Sequence, residues 1–347
     1  MKKLIFVTLA TATMGLVSCS SDEASTQNVT AQEEIQLAVK MENNAPAATR
    51  AAHNLQGTAL ADYTKAGIFA YLTGTTASAS NYAGYSNLTV TTAADYEYNS
   101  ILYKKLTPST TMYSPVGGTN VDVYVYAPYD ENHTDVTSMI FTVQDDQTLD
   151  ANYIASDFVY GKATADCSSA GDRVAAVNMY HALTKLTFKI DDASNGTNAS
   201  GITEIKLTDV YKKATINMSA AVADSEPWLN AGTNVTTSTS NDDKGEVVVS
   251  NLTNNENLYN NAKQEGTGGV SVIIPSQGGL SASAGGKVSV TIDSQTRSAY
   301  LGSDDLTVLL PGYEYVYTLN IKSQELVVAV SIKPWSEGNP QVRDLDF

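Results

Sequence analysis

The sequence predicts an all-β protein built as two antiparallel β-sandwich domains in tandem. Three observations carry this. Short segments with apolar residues at every second position recur along most of the chain. Gly, Asn, Asp and Ser clusters separate them, as turns do. No long 3.6-residue period stands out and no repeat of 20–50 residues is evident, which argues against helical, solenoid and propeller folds. The 347 residues are enough for about two domains of ordinary size.

The elements follow in chain order. Lys2 and Lys3 precede an apolar run that ends at Leu16-Val17-Ser18-Cys19, the layout of a secretory signal peptide over residues 1–18. The run is 14 residues long, too short for a good transmembrane helix, and no later stretch approaches 18. Leu-Val-Ser-Cys is similar to a bacterial lipobox, which implies lipidation of Cys19 and an outer-membrane or cell-surface location. The acidic Ser20-Ser21-Asp22-Glu23 that follows resembles a surface-export tag. Several acyl chains on one residue would anchor it firmly, where one chain binds weakly. Residues 20–32 are polar and expected to be disordered.

Residues 34–40 alternate Ile35, Leu37 and Val39 with Gln36, Ala38 and Lys40 and predict a half-buried strand. The stretch 42–54 carries Pro46 and Arg50 without a strand period and predicts an exposed loop, open to proteolysis. A short helix is expected near 51–62. Strands are then expected at 67–72, 87–92, 101–105, 121–127 and 140–143, with a domain break near 172–178. The second series is 183–190, 202–210, 214–218, 246–252, 270–274, 287–292, 306–310, 314–322 and 326–333. The resulting division is a pro-segment at 19–50, an N-terminal sandwich at 51–175 and a C-terminal sandwich at 176–347.

Composition narrows function by exclusion. A formal charge of −16 argues against nucleic acid, whose phosphates call for clustered Lys and Arg. Two cysteines and three histidines supply little for a metal centre, and no metal or cofactor is expected. With Cys19 lipidated, Cys167 has no partner for a disulfide and sits in a small-residue loop as an inert thiol. The P-loop, G-x-G-x-x-G, G-x-S-x-G, S-x-x-K and H-E-x-x-H motifs are missing, and His53, His133 and His181 lie far apart. Acidic doublets at Asp145-Asp146, Asp191-Asp192, Asp242-Asp243 and Asp304-Asp305 fall at strand ends, where Asp favours turns. The segment 191–196 lacks the third-position Asp/Asn of a calcium loop. The chain is therefore not expected to be an enzyme. Its 20 tyrosines, many on alternating positions, are expected to fill sheet faces.

Several segments together resemble the fimbrillins of Bacteroidales, the subunits of type V pili. They are Phe141-Thr-Val-Gln-Asp-Asp-Gln147, Ser156-Asp-Phe-Val-Tyr-Gly161, Val177-Asn-Met-Tyr-His-Ala-Leu-Thr-Lys-Leu-Thr-Phe-Lys-Ile190, Pro311-Gly-Tyr-Glu-Tyr-Val-Tyr-Thr-Leu-Asn-Ile321 and Ser331-Ile-Lys-Pro-Trp335. The same pattern covers fimbrillin-like surface lipoproteins. The resemblance implies transthyretin-like sandwiches and assembly by strand exchange. A trypsin-like or Arg-specific protease cuts the lipoprotein precursor, the first strand leaves, and a neighbouring subunit's C-terminal strand takes its place. Here the cut maps to Arg50 and Ala51 and leaves 297 residues. The donor maps to Leu326, Val328, Val330 and Ile332, continuing through Trp335. In the alternative, 326–333 stays in its own domain and the tail Gln341–Phe347 moves. The implied partners are other pilin subunits, in a homo- or hetero-polymer. A second class of function is a pilus-tip or non-polymerising adhesin for host glycans or proteins.

Overall fold

The computed structural model describes residues 32–41, 65–75, 81–191, 201–219, 234–251, 269–321, 326–335 and 343–345. All fall in one compact unit, Gln32–Phe347. Cys19, Arg50, Ala51 and the helix expected near 51–62 lie outside the described residues.

The first half of the chain forms β1 (Gln36–Met41), β2 (Ala66–Leu72), β3 (Leu88–Tyr98), β4 (Ile101–Pro108), β5 (Val121–Ala127) and β6 (Met139–Thr142). A short helix α1 (Asp150–Ala155) precedes β7 (Val159–Ala165) and β8 (Val174–His181). Seven of these strands hydrogen-bond in the order β1-β4-β3-β2-β5-β7-β8, and the circuit closes because β1 also pairs with β8. The first sheet thus closes into a barrel, within the all-β architecture that the sequence predicted as a β-sandwich. Closure removes sheet edges, and β1 is the strand that joins β4 to β8. Its core gathers Ile35, Leu37, Val39, Ile68, Val90, Leu106, Val123, Val125, Val159 and Val177, all at most 2% exposed.

The remaining strands are β9 (Thr184–Asp191), β10 (Ile202–Tyr211), β11 (Lys213–Ile216), β12 (Val235–Thr237), β13 (Lys244–Asn251), β14 (Val270–Ile274) and β15 (Gln277–Gly278). After them come β16 (Lys287–Ile292), β17 (Gln295–Tyr300), β18 (Val308–Leu309), β19 (Tyr313–Ile321), β20 (Leu326–Pro334) and β21 (Arg343–Leu345). The sheets β13-β10-β16-β17 and β14-β9-β19-β20-β21 share one core. Ile205, Leu207, Val249, Val288 and Val290 come from the first, and Leu186, Phe188, Val272, Tyr317 and Leu319 from the second. Two sheets burying their inner faces on each other make a sandwich. Residues 172–178, where the domain break was expected, run into β8, and β8 stays in the first sheet up to His181.

A third core lies between these two. The small sheet β12-β11-β6 contributes Met139, Ala214, Ile216 and Val235, packed with Phe69, Tyr126, Tyr153, Phe158, Ile273 and Trp335. Phe158 stacks on Tyr126 at 5.7 Å and meets Phe141 edge-on at 5.2 Å. Gln147, wholly buried, pairs with a strand through its side-chain amide. Its Nε2 donates to the Ile273 carbonyl (2.7 Å) and its Oε1 accepts from the Ile273 N–H (2.9 Å). Lys185 and Glu314 are also buried and lie 3.5 Å apart, with the Thr187 hydroxyl donating to Glu314 at 2.7 Å.

Among the described residues nine tyrosines are buried: Tyr71, Tyr85, Tyr103, Tyr124, Tyr126, Tyr153, Tyr160, Tyr315 and Tyr317. Seven of them lie on strands, as expected from their alternation, while Tyr153 is carried by α1 and Tyr85 by the loop ahead of β3. Burial pushes the phenols of Tyr71, Tyr160 and Tyr315 up to about 12, so they stay neutral; the Tyr160 hydroxyl accepts from the Asn234 amide (2.9 Å) and the Tyr315 hydroxyl from the Leu310 N–H (2.9 Å). The Asp145-Asp146 doublet makes a turn contact and a surface ion pair. Asp146 accepts from the Thr148 N–H and hydroxyl at 2.9 and 2.6 Å, and Asp145 accepts from Lys212 at 2.7 Å.

Candidate functional site

The strand predicted at 34–40 appears as β1, and its surroundings make it the feature most relevant to function. Alternation sends Ile35, Leu37, Val39 and Met41 into the first core, where they are 2%, 2%, 0% and 5% exposed. On one side β1 runs antiparallel to β4, with Leu37 opposite Leu106 and Val39 opposite Lys104. On the other it runs parallel to β8 through six pairs, from Gln36–Val174 to Met41–Met179. The residues ahead of it are also tied down. The Ile35 N–H donates to the Met112 carbonyl (2.8 Å), the Ser114 N–H to the Glu33 carbonyl (2.8 Å), and the Gln36 N–H to the Arg173 carbonyl (2.9 Å).

Four apolar side chains at about 1.5–3 kcal/mol each make the burial of this row worth roughly 6–12 kcal/mol. That is comparable to the whole stability of an ordinary domain. By contrast, the Arg173–Glu33 ion pair (3.1 Å) has a carboxylate that is 63% exposed. Exposed pairs contribute about 1 kcal/mol or less. Glu33→Ala is accordingly expected to lower stability by no more than about 1 kcal/mol in denaturant unfolding of the precursor. The apolar row, not the ion pair, holds the strand.

Taking β1 away would leave β4 and β8 as facing edges with unpaired backbone groups, above a slot shaped for four apolar side chains. Such a groove binds an extended strand by supplying ladder hydrogen bonds and side-chain pockets. It offers no catalytic chemistry. Among the described residues, no group of three or more His, Cys, Asp or Glu is placed to hold a metal ion. Cys167 is free and buried in the first core, and burial raises its thiol above the ordinary value. His133 is buried edge-on against Tyr126, and burial lowers its pKa.

The other residues expected at the site lie on β20 and just past it. β20 pairs antiparallel with β19 through nine residues, from Tyr313–Pro334 to Ile321–Leu326. Leu326 and Val330 are buried in the sandwich core, and Val328 and Ile332 pack partly buried against it. β21 adds three pairs on the outer edge of β20, from Val330–Leu345 to Ile332–Arg343. The groove strand and β20 therefore belong to different sheets.

Trp335 ends this segment. Its N–H donates to the Gly312 carbonyl (2.8 Å), and its indole stacks on His181 with ring centres 3.9 Å apart. His181 Nδ1 is held by the Asp157 carboxylate at 2.8 Å. Sequence reasoning did not single out this contact, because it joins residues far apart in the chain. Nor did it find the second wall of the groove. The alternation Val174, Ala176, Asn178 against Ala175, Val177, Met179 was legible in β8 but weak, since alanines occupy both faces.

The fimbrillin-like family model matches residues 49–335, most of the chain. The protein belongs to the fimbrillin-like family. Among solved structures, this fimbrillin-like chain is similar to a cell adhesion protein from Bacteroides uniformis, with a TM-score of 0.58 and 17% identity over 87% of this chain and 98% of that one. It is also similar to a cell adhesion protein from Bacteroides ovatus, with a TM-score of 0.53 and 16% identity over 89% and 100% of the two chains. No curated protein matches the sequence. Both structures are described as cell adhesion proteins, and the family as fimbrillin-like. Membership assigns the fimbrillin-like chain a pilin or adhesion role at the cell surface. In this fimbrillin-like chain β1 lies ahead of the matched region, which begins one residue before Arg50.

Proposed function

We propose that the protein is a structural pilin subunit made as an outer-membrane lipoprotein precursor. Cys19 carries the lipid, and a trypsin-like or Arg-specific protease cuts between Arg50 and Ala51. The released front takes β1 with it, and a C-terminal strand of a neighbouring subunit enters the groove. Head-to-tail insertion is heterologous and does not close on itself, so it builds a filament.

The observation that carries this reading is the position of β1. It is an interior strand that closes the first sheet, yet it precedes the region matched by the family and is followed by the segment bearing Arg50. A strand this well buried leaves a groove that a similar strand can refill. Donor candidates are Leu326, Val328, Val330 and Ile332, followed by Trp335, with the tail from residue 341 as the alternative.

Arg50→Ala is expected to abolish the new N-terminus at Ala51 and to reduce surface polymer at least tenfold. Gel laddering and N-terminal mass spectrometry of protein sheared from cells read both effects. Normal polymer from Arg50→Ala subunits would sink the proposal. A second reading, a non-polymerising or pilus-tip adhesin for host glycans or proteins, draws on the description of both solved neighbours as cell adhesion proteins. Its signature is a lipidated N-terminus that persists on the mature protein, together with saturable glycan-array binding.

A further inference from the structure

A cleft of about 600 Å³ lies between the loop Pro128–Asn132, which joins β5 to β6, and β6 itself. That volume is typical of small-molecule sites, and no residue of β1 or β20 lines it. Its walls combine two aromatic rings, Tyr129 and Phe141, with the planar polar groups of Asp130, Glu131, Asn132 and Gln144.

Both walls are held in place. The Asp130 carbonyl accepts from the Asn87 amide (2.9 Å) and lies 3.0 Å from the buried Tyr126 hydroxyl. The Asp130 carboxylate accepts from the Asn132 N–H (2.9 Å) and side-chain amide (2.7 Å). The Asn132 N–H keeps the Asp130 carboxyl below its ordinary pKa, so it is charged at neutral pH. Tyr129 and Phe141 are half-buried against the third core, and Phe141 meets Phe158 edge-on. β6 is an edge strand, so backbone groups on its outer side add donors and acceptors that have no ladder partner.

The chemistry of these walls selects the ligand. Among the described residues neither Asp130 nor Glu131 belongs to an ion pair. Charged carboxylates only accept hydrogen bonds, and neighbouring hydroxyls of one sugar ring are donors spaced to meet them. The negative face of an aromatic ring receives the C–H groups of the sugar's apolar face. No Lys, Arg or His lines the cleft, so sialylated, sulfated and other anionic ligands meet repulsion there. An extended peptide fits less well. β6 offers it four residues, and the facing wall presents carboxylates and amides where alternate side chains need pockets.

Resting on the adhesion reading above, we propose that this cleft binds a neutral, hydroxyl-rich sugar at the end of a glycan. The sugar's apolar face lies on Tyr129, and neighbouring hydroxyls donate to Glu131. Because the cleft is separate from β1 and β20, it serves a polymerised subunit and a monomer alike.

The purified precursor on an array of neutral and acidic glycans is expected to bind saturably to neutral ends, with free glucose, galactose, mannose, fucose or N-acetylglucosamine competing. Glu131→Gln, at an exposed side chain, is expected to weaken that binding about tenfold or more, because an amide replaces a charged acceptor. Tyr129→Ala is expected to weaken it as much, and its urea midpoint shows whether the chain stays folded. Glu97→Gln, which removes an exposed carboxylate from β3, is expected to stay within about twofold of wild type. Saturable binding unchanged by Glu131→Gln and Tyr129→Ala would keep the adhesion reading and overturn this site. Preference for sialylated or sulfated ends, or binding abolished by added salt, would overturn the neutral class. Binding to peptides in place of sugars would overturn the sugar. Absence of binding to every arrayed glycan would remove the glycan-adhesion reading together with this site.

Discussion

Val39→Asp is expected to destabilise the precursor by about 4 kcal/mol or more, enough to unfold much of it at ambient temperature. Val39 is 0% exposed and sits among Leu37, Leu106, Val177 and Met179 in the first core. The substitution removes an apolar side chain and places a carboxylate in an apolar core, its cross-strand neighbour Lys104 being half-exposed and already paired with Asp95. Gln36→Glu, on the half-buried outer side of the same strand, is expected to change stability by less than about 1 kcal/mol. Urea unfolding of the two variants beside the wild type measures the difference. Similar losses from both would mean that the strand does not seat its inner row in the core. In the proposed mature subunit, from which β1 has gone, Val39→Asp should have no effect. Comparing precursor with processed polymer therefore also reports whether the strand departs.

Gly161→Ala is expected to cost about 3 kcal/mol or more and to prevent secretion of folded protein. A Cβ on Gly161 would lie 2.0 Å from the Asn178 carbonyl oxygen and 2.7 Å from Val177 Cγ1. The first contact is with backbone, so no rotamer change relieves it. β7 and β8 must separate locally, and β8 is the strand that walls the groove. Gly278→Ala is the control, since a Cβ there meets nothing within 4 Å. It is expected to stay within about 0.5 kcal/mol of wild type in the same denaturation assay. Equal behaviour of the two variants would refute the close approach of β7 to β8.

Gly161 also shows why part of the fold was hidden in the sequence. A glycine inside a strand lowers its β signal, so Val159–Ala165 was not predicted, although packing is what requires the glycine. β8 escaped for a related reason. Ala175 and Ala176 lie on opposite faces and blur the period. β17, Gln295–Tyr300, is an edge strand of polar residues with no buried row to betray it. Where one face is buried against a core, the pattern was clear. Val121–Ala127, Val270–Ile274 and Lys287–Ile292 match their expected limits. The burial of Lys185 was not legible in the sequence: it is 1% exposed, with Glu314 opposite it on a strand 129 positions away.

The sequence by itself determined the all-β class, the alternation that marks β1 and β20, and the family resemblance that the match over 49–335 bears out. Those properties are local: period-two burial, turn chemistry and short ordered motifs can all be read along a chain. Only the tertiary structure decided that the first sheet closes, that β8 is the parallel neighbour of β1, and that Ala38 is shut in on both faces. Pairing partners 138 positions apart leave no mark on local periodicity. Closure is a property of the whole circuit of hydrogen bonds, and it places one short strand near the start of the chain between β4 and β8.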